Sequence, residues 1–241
     1  MCVRVLHALT AIATLAFLLP TEAAAQRRKG IRPLDERCCV VGIYGTAARP
    51  VGQFDTYVGW GGGLGLYWLT HLDRGRHVGV RVQGSLIVYG HEEYAVPFNS
   101  WVSRVWIDVN TSNMIANFGV GPQLSLRLGP FHPYAFGTAG LSYFATVTSL
   151  EGSSDIEPFA STTNFDDATF ALTGGAGLRL GLGGRRHPVA LDFSVERMVN
   201  GEAEYLREGG IQDNVDGSYT VFPIRSEANL ITYRAGVTIG F

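Results

Sequence analysis

From residue 231 to the last residue of the chain, apolar and polar side chains alternate without a break. Ile231, Tyr233, Ala235, Val237, Ile239 and Phe241 fall on one side, and Thr232, Arg234, Gly236, Thr238 and Gly240 on the other. A period of two belongs to a strand with two different faces. Runs of the same kind, bounded by turn residues, occur at 39–48, 57–69, 78–90, 113–128, 133–148, 168–182, 188–199 and 228–241. They predict eight strands. Two further stretches, 99–110 with Trp101, Trp106 and Ile107, and 219–224, read as β-structure continuing beyond the main sheet. Counting them into the sheet gives ten strands, the main structural alternative.

The connections alternate in length. After strands two, four and six they are short: 71–76, then Gly129-Pro130-Phe131-His132, then 183–186. After strands three, five and seven they are long. Transmembrane β-barrels have short periplasmic turns, longer extracellular loops and an even strand count. A soluble sandwich has no reason to sort its loops by parity.

Alternation alone does not say which face points inward, but the residues on the polar face do. Strand two has Gly59, Gly61, Gly63 and Gly65 there, strand four Asn117, Gly119, Gly121 and Gln123, and strand six Thr173, Gly175, Gly177 and Arg179. Glycine is poor on an exposed strand surface and reasonable inside a narrow closed barrel. The opposite face carries uncharged apolar stretches such as Val58, Trp60, Leu64, Leu66 and Trp68, as lipid contact requires. Trp60 and Trp68 stand eight residues apart. That is about 26 Å of strand, or roughly 20 Å vertically at a ~40° tilt, close to an apolar band of ~25 Å between aromatic girdles. Tyr233 and Phe241 repeat the spacing. The expected fold is therefore all-β, an eight-stranded antiparallel up-and-down transmembrane barrel over 39–241.

Residues 1–25 read as a secretory signal, with Arg4, an apolar run Ala8–Leu19, and Ala23-Ala24-Ala25 before the expected cleavage. That run is too short to span a bilayer. Residues 26–38 read as a periplasmic tail. Cys38 and Cys39 are adjacent, so no disulfide framework and no metal-type spacing is expected.

Charge sorts by side on this topology. The extracellular connections hold fifteen acids and four bases, and the periplasmic side nine bases and three acids. Acidic loops keep exposed segments soluble; gathering divalent cations at a phosphate-rich leaflet is the sharper reading. Arg81, Arg127, Arg179, Asp192, Glu196 and Arg234 fall on the inward face. Isolated buried charge is costly, so an ion-pair network is expected, joining Asp192 and Glu196 with Arg234 and Arg179. Arg197 falls on the lipid side near the upper end of its strand, where an arginine snorkels toward headgroups.

Catalytic patterns are missing. There is no Gly-x-Ser-x-Gly or His-Glu-x-x-His, and Gly61-Gly62-Gly63-Leu64-Gly65 lies within a strand. No histidine has serine two residues on, the pair that an outer-membrane lipid A deacylase would carry. His91-Glu92-Glu93 is the one cluster of base and carboxylates near the extracellular rim, and reads as a solvated loop start. No basic patch with interleaved aromatics suggests nucleic acid. No enzyme activity and no cofactor are expected.

The aromatic terminus Phe241 behind Ile239 and Tyr233, together with the strand Pro133-Tyr134-Ala135-Phe136-Gly137-Thr138-Ala139-Gly140-Leu141-Ser142-Tyr143-Phe144, resembles the small outer-membrane β-barrels of the OmpA/OmpX-like, porin-family group. The resemblance covers the chain after the signal. It implies an outer-membrane location, insertion by the barrel assembly machinery reading the closing strand, and lipopolysaccharide and outer-membrane lipids as neighbours. The leading functional expectation is a structural or surface-interaction protein with a plugged polar lumen, its acidic loops open to an extracellular ligand. A narrow channel for small solutes is the alternative. A lipid-modifying enzyme and a soluble lipocalin-like binder stand behind it.

Overall fold

Alternation with β-branched and aromatic residues on one face drives eight long strands, and each finds an antiparallel partner. The computed structural model describes residues 38–99, 102–152, 160–183, 188–207, 209–214 and 219–241. In chain order the strands are β1 (Cys39–Val51), β2 (Gly61–His71), β3 (Val78–Asn99), β4 (Val102–Ser125), β5 (Phe131–Gly152), β6 (Ala160–Gly183) and β7 (Val189–Asn200). Four short strands follow, β8 (Glu202–Tyr205), β9 (Ile211–Asp213), β10 (Tyr219–Val221) and β11 (Ile224–Glu227), before β12 (Asn229–Gly240). The eight long strands close into one barrel, β1-β12-β7-β6-β5-β4-β3-β2. The signal at 1–25, the tail at 26–38 apart from Cys38, and Arg185-Arg186 of the third turn lie outside the described residues.

The ten-strand alternative falls. The stretch at 99–110 adds no strand to the barrel wall; from Val102 it is the upper half of β4, paired with the upper half of β3. β5 and β6 are likewise paired from Leu150 and Ala160 downward. Two of the three long connections are thus mostly two-stranded ribbons. The third folds into two small sheets, β8 with β11 and β9 with β10.

The registers fix the barrel's shape. Following hydrogen-bonded neighbours once around, Leu124 meets Ala135, then Ala176, Val195, Tyr233, Ala47, Gly62, Val88 and finally Met114. The circuit returns to β4 ten residues from where it began. That shear over eight strands sets a tilt of about 41° and a backbone radius of about 8 Å, at ~3.3 Å rise and ~4.8 Å spacing. Such a radius leaves room for side chains and little else.

The polar face is the inner one. Arg81 and Arg179 are 0% exposed, whereas Leu64 is 69% exposed. Val58, expected on the lipid face, is instead buried at the top of the barrel against the turn Phe54–Thr56. The soluble-binder reading fails here, because it needs the pattern reversed.

Below, the described turns are tight. Gly129 takes φ +69° in the turn Gly129-Pro130, and Leu128 and Phe131 exchange backbone hydrogen bonds of 2.9 and 3.2 Å across it. In the first turn Asp73 accepts the Val78 N–H at 2.8 Å, and this bond pulls the pKa of its carboxyl down to about 2.

Candidate functional site

The lumen gathers five of the six charges assigned to it. Glu196 on β7 and Arg234 on β12 form an ion pair, both buried. Thr232 donates to the same Glu196 oxygen at 2.9 Å, and Arg234 Nη1 donates to Gln83 Oε1 at 3.3 Å. The Arg234 guanidinium also lies 4.2 Å from the centroid of Tyr44. Arg81 donates to Gln83 at 2.8 Å and to Gln123 at 3.1 Å, and lies between the rings of Tyr67 and Phe136, 3.7 and 4.2 Å from their centroids. Arg179 donates to Ser125 at 3.1 Å and lies 5.1 Å from the Tyr134 centroid.

Asp192 stands opposite Arg179 in the β6–β7 register. Its carboxylate accepts from two phenols, Tyr67, and Tyr134 at 2.5 Å. In a space without bulk water, hydroxyl donors and ring faces supply the stabilisation that each charge loses on leaving water.

Arg127 is a correction. Extending the parity of strand four puts it on the inward face, but β4 ends at Ser125 and Arg127 is exposed in the turn that follows. The hairpin ladder continues past Ser125, with Leu126 bonded to Pro133 at 2.8 Å and Leu128 to Phe131 at 2.9 Å, and both leucines stay exposed, so the alternation persists. Arg127 is exposed because it lies below Val78–Leu124, the lowest β3–β4 pair, where the wall no longer encloses a lumen.

Sequence reasoning missed Tyr44, Tyr67, Tyr134 and Phe136, the rings that line the charges. Their signal was present: all four have inward parity, and inward glycines lie beside them. A Cβ on Gly42 would stand 2.4 Å from the Tyr67 ring, on Gly65 2.4 Å from Tyr44, on Gly177 2.6 Å from Tyr134, and on Gly175 2.7 Å from Phe136. The glycines make room for rings.

Higher up, the lumen ends in an apolar cluster. Phe54 of the first extracellular connection and Tyr205 of the last are both 0% exposed, with ring centroids 4.9 Å apart at 90°. Tyr89 and Phe144 of the wall pack edge-on against Phe54, at 5.6 and 6.5 Å. Tyr205 is held by a 2.8 Å bond to Ser226 across β8 and β11, and Tyr89 donates to the Leu206 carbonyl at 3.2 Å. Asp167 accepts the Glu204 N–H at 2.7 Å, tying β8 to β6.

The rim brings His91 Nδ1 within 3.1 Å of Ser112 Oγ, a cross-strand pair exposed on β3 and β4. No group of three or more His, Cys, Asp or Glu is arranged to hold a metal ion among the described residues. Cys38 and Cys39 are free, their sulfurs 3.3 Å apart.

Outside, the surface is made for lipid. Leu64, Leu66, Phe118, Leu124, Leu141, Phe170 and Phe193 are all exposed on it. Trp60, just before β2, stacks on Tyr233 at 6.2 Å, and Trp68 lies lower, on β2, with its indole N–H on Thr70. Tyr233, Ile239 and Phe241 all face outward. A closed ladder with a polar inside and an apolar outside satisfies every backbone group within a bilayer. The chain is an outer-membrane β-barrel. No protein-family model matches it, and no curated protein matches it. Among solved structures it is similar to Neisserial surface protein A, with 12% identity over 85% of this chain and 98% of that one, at a TM-score of 0.45. It is also similar to Ail, the attachment invasion locus protein of Yersinia pestis, in complex with the heparin analogue sucrose octasulfate (13% identity, 83% and 95%, TM-score 0.40). A third is a major outer membrane protein of Thermus thermophilus (12%, 82% and 98%, 0.39).

Proposed function

We propose that this barrel is a closed scaffold that presents ordered extracellular ribbons for surface interaction, and that it is neither an open pore nor an enzyme. One observation carries the reading: the lumen is occupied at two levels, by the Arg81–Gln83–Arg234–Glu196 network and, above it, by the Phe54–Tyr205 cluster. A solute on the axis would have to displace both. Effort in the sequence goes instead to the outside end, where β3 and β4 run to Asn99 and Val102, well past Gly61 at the top of β2. The acids along the ribbons, Glu92, Glu93 and Asp108 on β3 and β4 and Glu151, Asp166 and Asp167 on β5 and β6, favour cationic or divalent-bridged partners over nucleic acid. Insertion by the barrel assembly machinery through Tyr233, Ile239 and Phe241 belongs to the same reading.

The test is conductance of the refolded full chain in a planar bilayer. Silence is expected. Steady conductance, selective for small solutes, would overturn the closed lumen in favour of the narrow channel.

One contact favours a second reading, a lipid-modifying enzyme. His91 Nδ1 and Ser112 Oγ form a base–hydroxyl pair at the rim. In the leading reading it is an ordinary cross-strand hydrogen bond. Release of fatty acid from lipid A by wild type, abolished in Ser112→Ala, would establish the enzyme.

A further inference from the structure

Outward charge is sparse where the wall meets lipid. On β7, β12, β1 and β2 the outward side chains include two charged ones, Arg197 and Arg49. They lie in one hydrogen-bonded row, because Arg197 and Arg49 both pair with Ile231. Two strand spacings put their backbones about 10 Å apart. Both are exposed. Their outward neighbours are uncharged: Val195, Val199, Gly174 and Ile231 around Arg197, and Ala47, Val51 and Ile231 around Arg49. Continuing the β1–β2 register by one pair places Trp60 beyond Arg49.

In the other direction the row passes from Arg197 to Gly174 and on to Gly137. The spacing of the pairs Val120–Ala139 and Gln123–Phe136 sets Pro122 opposite Gly137. Here the wall is hollow on its lipid side. A groove of about 530 Å3 is bounded by Val120, Pro122, Gly137, Ala139, Gly174 and Arg197. A Cβ on Gly174 would meet nothing within 4 Å. Given the tilt, the row descends from Arg197 toward the periplasmic side by about 9 Å over about 14 Å of length. By the same geometry Arg197 stands near the height of Tyr233 and Arg49 about 6 Å higher, and from that depth an arginine snorkels up to the headgroups.

We infer that this row is a binding site for a diphosphorylated, acylated glycolipid of the outer leaflet, lipid A in its chemistry. Arg49 and Arg197 take its two phosphates, and one acyl chain lies in the groove over Gly174 and Gly137. Charge complementarity selects this occupant. A guanidinium at the edge of hydrocarbon needs an anion, and two of them separated by an apolar residue match two anions on one rigid head better than one. The glycines let the chain lie against backbone, where any side chain would hold it off. This inference rests on the bilayer location, and not on what the ribbons bind. Heat-modifiable migration on a gel checks that location separately.

The experiment uses the full chain in nanodiscs of zwitterionic phospholipid, doped with diphosphoryl lipid A, monophosphoryl lipid A or phosphatidylglycerol. Lipid retained on extraction is counted by native mass spectrometry. Wild type should retain the diphosphoryl form at least about tenfold over the other two, as one charge-assisted phosphate contact implies. Arg49→Gln/Arg197→Gln should erase the preference. Gly174→Leu, which fills the groove and leaves both charges, should weaken retention of the two lipid A forms severalfold. Equal retention of the three lipids by wild type would overturn the site, with no variant needed. So would a preference that survives the double substitution.

Discussion

A glycine in this barrel wall has a consequence set by its neighbour, and the neighbours differ in kind. Gly42 faces the Tyr67 ring, while Gly174 faces open space on the lipid side. Alanine at 42 drives the Tyr67 ring out of its place. It breaks the phenol bond to Asp192 and removes one of the two rings that enclose Arg81. Gly42→Ala should therefore lower stability by about 1–3 kcal/mol, the range for overpacking with a network disturbed. Gly174→Ala should change it by less than about 0.5 kcal/mol. Urea unfolding in lipid vesicles, followed by tryptophan fluorescence, compares the two. Equal effects would show that the glycines are only strand-bending positions and that the rings do not need their space.

Elements, more than residues, were legible in the sequence. All eight barrel strands and their order followed from a period of two and from turn chemistry, both local properties. Strand ends did not, because β3 to β6 continue into ribbons whose length depends on cross-strand partners that local pattern does not name. The site was legible in its charges and not in its rings. Arg81, Arg179, Asp192, Glu196 and Arg234 stand out because a charge on a barrel's inward face must be accounted for. A tyrosine on a strand is unremarkable until the glycine opposite it is known. Least legible was the apolar cap, for Phe54 sits in a connection with no periodicity and reaches the lumen only through tertiary contact. Phe54→Ala should cost about 3–5 kcal/mol of local stability, the range for a buried phenylalanine. The effect should be confined to the mouth. Amide exchange would rise across 52–58 and 203–206 while the lower halves of β1 and β12 stay protected. Loss of protection throughout the barrel would mean that the cap is part of one cooperative unit with the wall.

At the scale of the whole molecule the two closures lie in series along one axis, and their chemistry differs. The lower one is polar and directional. Removing Arg234 leaves Glu196 buried without its ion-pair partner, which destabilises by about 3–5 kcal/mol in comparable pairs. Even so, Arg81 and its enclosing rings remain below. The upper closure is apolar and held by loops that the wall does not need for closure of its ladder. In series, the less permeable element sets the current, so opening either alone leaves the other in the path. Arg234→Ala alone should stay silent in a planar bilayer, and so should Phe54→Ala/Tyr205→Ala. With Arg81→Ala added to those three substitutions the barrel should conduct in bursts, because the cap and both charged levels of the lower closure are then gone. Conductance in Arg234→Ala alone would show that the mouth is open on the time scale of the recording, and that the cap is an ordered surface feature without a sealing role.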